Sequence, residues 1–227
     1  MEEPALLTIR ENFMRPSHNQ LLNFRDAPTG WVVDSIGRRG ALPHWIRPLT
    51  KVKRFVGSAI TVRSRPIDNL APYAALKFAQ PGDVLVVSTD ADEGASVLGD
   101  ILLGMAKNAG IVAVVTDGLV RDIAGLNAVG IPVFARALSP NSPFKDGPGT
   151  IGLPITLGGI SIASGDLLVG DADGVVVIPI ASLTKAATKL KAIAAKEASM
   201  DKAVAEGAPY PSWLDDILVS DDVSYID

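Results

Sequence analysis

Residues 99–122, GDILLGMAKNAGIVAVVTDGLVRD, constrain the fold more than any other stretch of the chain. Gly99-Asp100 opens an apolar helical pattern that Gly110 closes. A wholly apolar, largely β-branched run follows at 111–115 and reads as a buried strand. A helix leading straight into a buried strand points to an α/β core. The strand empties into Thr116-Asp117-Gly118 and then Arg121-Asp122. A fixed cation beside a fixed anion, on a loop after a buried strand, suits a site for an anionic substrate and a metal.

The rest of the pattern extends this core in both directions. Helical signal lies at 19–25 and at 31–36, where Gly37 stops it. Strands are predicted at 57–62, 83–88 and 132–135, and helices at 69–80 and 124–129. Residues 139–150 (SPNSPFKDGPGT) are loop by composition, and short strands are predicted at 154–157, 160–162, 167–170 and 174–178. Residues 181–206 form the strongest amphipathic helix, with Leu183, Ala187, Leu190, Ile193 and Ala194 as its stripe. The expectation is one catalytic domain over 1–227. Its core spans about 31–180, behind an N-terminal helical arm and ahead of a C-terminal helix and tail at 181–227.

Composition narrows the function classes. The chain has 227 residues, 48% of them hydrophobic, which is enough for a sizeable core. Its net charge of -4, without a basic block, argues against nucleic acid as the main partner. The absence of cysteine removes disulfides, thiolate zinc sites and cysteine nucleophiles together. The acidic start Met1-Glu2-Glu3-Pro4 is unlike a secretory leader, and Asp100, Lys107 and Asn108 interrupt the longest apolar stretch. A cytoplasmic protein without a membrane partner is therefore expected.

Each candidate residue has a plain structural reading beside its chemical one. Asp100 stands where a helix N-cap belongs. The same helix start would offer the free amides of Asp100, Ile101 and Leu102 to a carboxylate. Arg121 and Asp122 read either as a solvated ion pair, with Asp122 capping the next helix, or as site residues. The GDADG at 170–174 reads as a β-turn, because no glutamate completes a calcium loop. Glu197 and Asp201 share a helix face, and Asp34 lies on a helix surface before Gly37-Arg38-Arg39. His18 and His44 lack metal-ligand spacing, and no nucleotide, hydrolase or zinc-protease motif is present.

The ordered set Gly99-Asp100, Gly110, Asp117-Gly118 and Arg121-Asp122 resembles the signature of the regulator of ribonuclease activity A superfamily. That group includes the 4-hydroxy-4-methyl-2-oxoglutarate / 4-carboxy-4-hydroxy-2-oxoadipate aldolases. Asp34-Ser35-Ile36-Gly37-Arg38, Arg47-Pro48, Asp68-Asn69, Pro81-Gly82-Asp83 and the Gly170–Val175 turn match in order. Glu197 on a C-terminal helix and the closing Tyr225-Ile226-Asp227 resemble the aldolase branch, since the regulators end earlier. Tyr73 stands where some aldolases have histidine, and the 139–150 loop differs in detail.

The resemblance implies a three-layer β/β/α swivelling-domain fold and a homotrimer or homohexamer with sites between subunits. It implies a metal-dependent class II pyruvate aldolase acting on 4-hydroxy-2-oxo acids, with oxaloacetate decarboxylation as a side activity. The alternative it leaves is a non-enzymatic regulator that binds an endoribonuclease. Asp122 would ligate Mg²⁺ or Mn²⁺ directly. Asp100, with Glu197 and Asp34 from the neighbouring subunit, would hold it through water. Arg121 would contact the keto oxygen that becomes an enolate, and Gly99, Ile101 and Leu102 would hold the pyruvyl carboxylate.

Overall fold

The structure, a computed structural model, describes residues 5–226; the acidic start at 1–4 and the terminal Asp227 lie outside the described residues. The elements run β1 (Leu7–Ile9), α1 (His18–Leu22), α2 (Thr29–Ser35), β2 (Arg47–Pro48), β3 (Phe55–Ser64), α3 (Leu70–Ala75) and β4 (Asp83–Ser88). They continue with β5 (Ser96–Leu98), α4 (Asp100–Asn108), β6 (Ala113–Thr116), β7 (Leu119–Val120), α5 (Ile123–Val129), β8 (Val133–Ala135) and β9 (Ala137–Leu138). The chain closes with β10 (Gly149–Ile151), β11 (Ile155–Leu157), β12 (Ile160–Ile162), β13 (Leu167–Asp171), β14 (Gly174–Ile178), α6 (Leu183–Ala205) and α7 (Trp213–Leu218).

Among the described residues a nine-stranded sheet dominates, with β3, β4, β6 and β8 parallel at its centre. Both faces of the central strands are apolar, and alternation sends successive side chains to opposite sides. Ile60, Val62, Leu85, Val87 and Val114 face one side, packed with Ala71, Leu102, Leu103 and Leu126 of α3, α4 and α5. Ala59, Val84, Val86, Ala113 and Val115 face the other, against the β11–β12 hairpin and Val175 and Val177 of β14. The result is a β/β/α layering. A third cluster packs Leu167, Val169, Val176 and Ile178 against Phe24, Val32, Leu183 and Leu190, which seats α2 and α6 on the β13–β14 hairpin.

A second, smaller sheet sets up the site. β5, β7 and β9 are parallel, in that order, and contain two or three residues each. Their C-terminal ends lead into α4, α5 and the 139–148 loop respectively. The sequence pattern leads the 111–115 strand through the Thr116-Asp117-Gly118 turn straight to Arg121. In the structure β6 ends at Thr116, and the short β7 intervenes before the arginine.

Other expectations shift at their edges. The helix expected at 69–80 is α-helical only over Leu70–Ala75. Beyond it the amides of Leu76, Lys77 and Phe78 bond three residues back, a tightened turn approaching Pro81. The 139–150 loop ends in β10, which pairs with β3 despite its Gly-Pro-Gly entry. The N-terminal arm begins with strand β1, and one 3-10 turn at Ile180–Ser182 precedes α6. The GDADG segment is the β13–β14 turn, where the Asp171 carboxylate accepts from the Thr29 amide and hydroxyl at 2.9 and 2.7 Å. Among the described residues, no helix is long and apolar enough to cross a membrane.

Candidate functional site

The loops that leave β5, β7 and β9 enclose a cleft of ≈ 100 Å³. Gly99, Asp100, Ile101 and Leu102 line it from the first loop, and Arg121 and Asp122 from the second. Ser142, Pro143 and Lys145 come from the third, and Asn69, Tyr73, Ser96 and Leu98 complete the wall. Strand ends are the usual place for ligand sites in sheets of this kind, because loops diverge there.

Gly99, rather than Asp100, is the N-cap of α4, and Asp100 is the first helical residue. The first intrahelical amide bond runs from Leu103 to the Gly99 carbonyl at 3.1 Å. The amides of Asp100, Ile101 and Leu102 therefore precede the ladder, with the positive end of the helix dipole behind them. The carboxylate of Asp100 lies against α5. A Cβ placed on Gly125 would come within 2.6 Å of the Asp100 Cβ, so this approach requires glycine.

Asp122 occupies the N-cap position of α5, and its carbonyl accepts from the Leu126 amide at 2.9 Å. Its side chain makes no capping bond, contrary to the plain reading of this residue. The backbone at Asp122 is left-handed (φ 62, ψ 46), a conformation that costs about 1–3 kcal/mol outside glycine and that aspartate tolerates better than most residues. The carboxylate turns back to Arg121, with Oδ2 3.2 Å from Nε. It also crowds Gly99, where a Cβ would meet Oδ2 at 2.5 Å. Arg121 is held from its other edge, NH1 donating to Ser142 Oγ at 2.5 Å.

Asp117, part of the same sequence run, stays out of the cleft. It is buried and accepts four hydrogen bonds, from the amides of Thr89 and Ala91 and the hydroxyls of Ser88 and Thr89. Its work is to clamp the turn after β4 to the end of β6.

Glu197 and Asp34 lie apart from the cleft of their own chain. Asp34 is on α2, 3.4 Å from Arg38 Nε, and Glu197 is in the second half of α6, where no residue is buried. Among the described residues, no group of three or more histidines and carboxylates is placed to hold a metal within one chain.

Asn69, Ser96, Ser142 and Lys145 have no site role in the sequence reading. Asn69 is 5% exposed, donates from Nδ2 to the Val97 carbonyl at 3.1 Å, and leaves its Oδ1 without a partner among the described residues. An orphaned buried acceptor of this sort costs about 1–3 kcal/mol. Lys145 stands with Nζ 5.9 Å from the Tyr73 ring centre.

A family model described as RraA-like, Aldolase/RraA, matches residues 25–177. The chain belongs to the RraA-like family. A relative from Halalkalibacterium halodurans, named "Putative 4-hydroxy-4-methyl-2-oxoglutarate aldolase", is 38% identical over 82% of this chain and 89% of its own. Among solved structures, an uncharacterized protein from Pseudomonas syringae superposes with TM-score 0.76 at 27% identity, covering 86% of this chain and 92% of that one. The RNA-processing inhibitor RraA from Thermus superposes with TM-score 0.64 at 30% identity, over 68% of this chain and 93% of its own. These likenesses agree with the mixed α/β architecture. The family match stops at residue 177, before α6 begins.

Proposed function

We propose that this RraA-like protein is a divalent-metal-dependent pyruvate aldolase that cleaves 4-hydroxy-2-oxo acids. The observation that carries the reading is the convergence of Arg121, Asp122, Asp100 and the α4 amides on one small cleft. The donors suit a hard ion such as Mg²⁺ or Mn²⁺. They are carboxylates alone, they are few, and such an ion keeps several of its waters. Asp122 would hold the metal directly, and Asp100 through water. Glu197 and Asp34 of a second copy would complete the water-mediated shell. When bound, the metal supplies Lewis acidity toward the keto oxygen of the substrate.

The chain's own residues account for the rest. The pyruvyl carboxylate rests on the amides of Ile101 and Leu102 beside Gly99. The hydroxyl proton at C4 passes to a water held by Asp100, and the C3–C4 bond breaks. Its electron pair becomes the C2–C3 double bond of the pyruvate enolate, and the carbonyl product departs from C4. Negative charge grows on the C2 oxygen. The Arg121 guanidinium stabilises it. Protonation at C3 then yields pyruvate. Loss of CO₂ from oxaloacetate leads to the same enolate, so decarboxylation accompanies cleavage.

A coupled pyruvate assay with 4-hydroxy-4-methyl-2-oxoglutarate tests the reading. Turnover should vanish with chelator and return with Mg²⁺ or Mn²⁺. Arg121→Ala should lower kcat by roughly 10²–10³, the scale for removing one charge-stabilising donor. Full turnover in chelator, or in the arginine variant, would refute it. The rival reading, a regulator of an endoribonuclease, draws support from the likeness to the Thermus inhibitor. Capture of ribonuclease without turnover of any 2-oxo acid would establish that reading instead.

A further inference from the structure

We infer that Ser142 is a positioning residue that aims the Arg121 guanidinium, an inference that rests on the aldolase reading above. Arg121 has two polar neighbours in the cleft, and they differ in kind. The Asp122 carboxylate lies 3.2 Å from Nε as an ion pair, with both side chains partly exposed. Attraction between such charges is weak. The bond from NH1 to Ser142 Oγ, at 2.5 Å, is the one hydrogen bond that the guanidinium makes among the described residues. Hydrogen bonds prefer near-linear geometry, so the serine sets where the guanidinium points. NH2 has no partner among the described residues and is left to meet the oxygen that gains charge.

The serine is itself held from both sides. Before it, Asn141 Nδ2 donates to the Gly94 carbonyl at 2.7 Å, and the Asn141 carbonyl accepts from the Ser96 amide at 3.0 Å. After it, the Phe144 amide donates to Ile67 at 2.8 Å, and the Phe144 carbonyl accepts from the Asn69 amide at 3.0 Å. Pro143 stands between and restricts the backbone of Ser142 to extended conformations. A short side chain on a strap pinned at each end presents its hydroxyl at a fixed place.

The parent reading makes a second hold on Arg121 necessary. Asp122 is the proposed direct ligand of the metal, so its carboxylate is shared between that ion and the guanidinium. Ser142 has no place in the metal shell, and its bond to Arg121 does not compete with one. A guanidinium only donates, so Oγ accepts here, and a side chain without that oxygen gives NH1 no partner. Arg121 would then be tied by the shared carboxylate alone, on a long and flexible stem. Ser142 therefore acts on the bond-breaking step through Arg121.

The test is steady-state cleavage of 4-hydroxy-4-methyl-2-oxoglutarate with saturating Mg²⁺, in wild type, Ser142→Ala, Ser142→Thr, Arg121→Ala and the double variant Arg121→Ala/Ser142→Ala. Ser142 is exposed, so neither replacement disturbs the core. Ser142→Ala should lower kcat roughly 10–10²-fold, the scale for misplacing a group at the reacting centre, while KM hardly moves. Threonine returns the hydroxyl and should restore most of kcat. With Arg121 already replaced, the serine change should cost nothing further, because residues that act as a unit are not additive. Wild-type kcat in Ser142→Ala, a threonine variant as slow as the alanine one, or a full second loss in the double variant would each overturn the inference. Wild-type protein without turnover would overturn the parent reading and this inference with it, a result distinct from those three.

Discussion

Two glycines determine how closely the site carboxylates approach their surroundings. Gly99 faces the Asp122 carboxylate, and Gly125 faces Asp100. Gly125→Ala is the cleaner probe, because alanine favours an α-helix interior over glycine by about 1 kcal/mol. The added methyl meets the Asp100 Cβ, which no rotamer change moves, so α4 and α5 have to part, and a shift of about 1 Å at a reacting group can cost roughly 10²-fold in rate. The propensity gain then only partly offsets an overpacking cost of about 1–3 kcal/mol, so the variant should melt below wild type, and kcat measured well below that melting point should fall at least tenfold. Calorimetry and the pyruvate assay read the two effects separately, and wild-type kcat would show that Asp100 needs no such approach. Arg121 and Asp122 stand out in sequence because charges directly after an apolar run are conspicuous. Asn69 does not, since an unpartnered carboxamide oxygen exists only once folding has buried it.

The 139–148 loop illustrates a different dependence. It carries Ser142 and Lys145 into the cleft, yet Pro and Ser dominate it and no regular ladder holds it there. Backbone bonds of Phe144 to Ile67 and Asn69 hold its middle, and Asp68 holds its end, accepting the amides of Asp146 and Gly147 from across the chain. Asp68→Ala strands those two amides. Their hydrogen exchange should accelerate at least tenfold while the β4 and β6 amides keep their protection, a contrast readable by mass spectrometry or NMR. Equal acceleration everywhere would mean global loosening instead. The same scale separates what the sequence reveals from what it hides. β4, β12 and β14 match their expected spans because apolar residues and turn chemistry bound them locally. β7 and β9 hold two residues each, and only their pairing, β7 with β5 and β9 with β7, makes them strands. Periodicity needs more than two residues to register, so the sheet that positions Arg121 was invisible.

At the scale of the molecule, the long C-terminal helix poses the question of what it packs against. Leu183, Ala186 and Leu190 are buried, but no later residue of α6 is. Beyond it Tyr210, Trp213, Ile217 and Val219 stand exposed. A helix with its apolar face anchored for two turns and free for four is suited to reaching a second copy. That would carry Glu197 toward a neighbour's Arg121 and Asp122, the arrangement the proposed metal shell needs. The consequence is complementation between two defective chains. Arg121→Ala loses the cleft cation and Glu197→Ala loses the arm carboxylate, so each alone should retain at most a few per cent of wild-type turnover, on the scale of removing one charge-stabilising group. Co-refolded as a mixture, the two variants create some interfaces in which an intact Arg121 faces an intact Glu197, and turnover should rise several-fold above either parent. If both groups acted within one chain, every site in the mixture would lack one of them, and mixing would restore nothing.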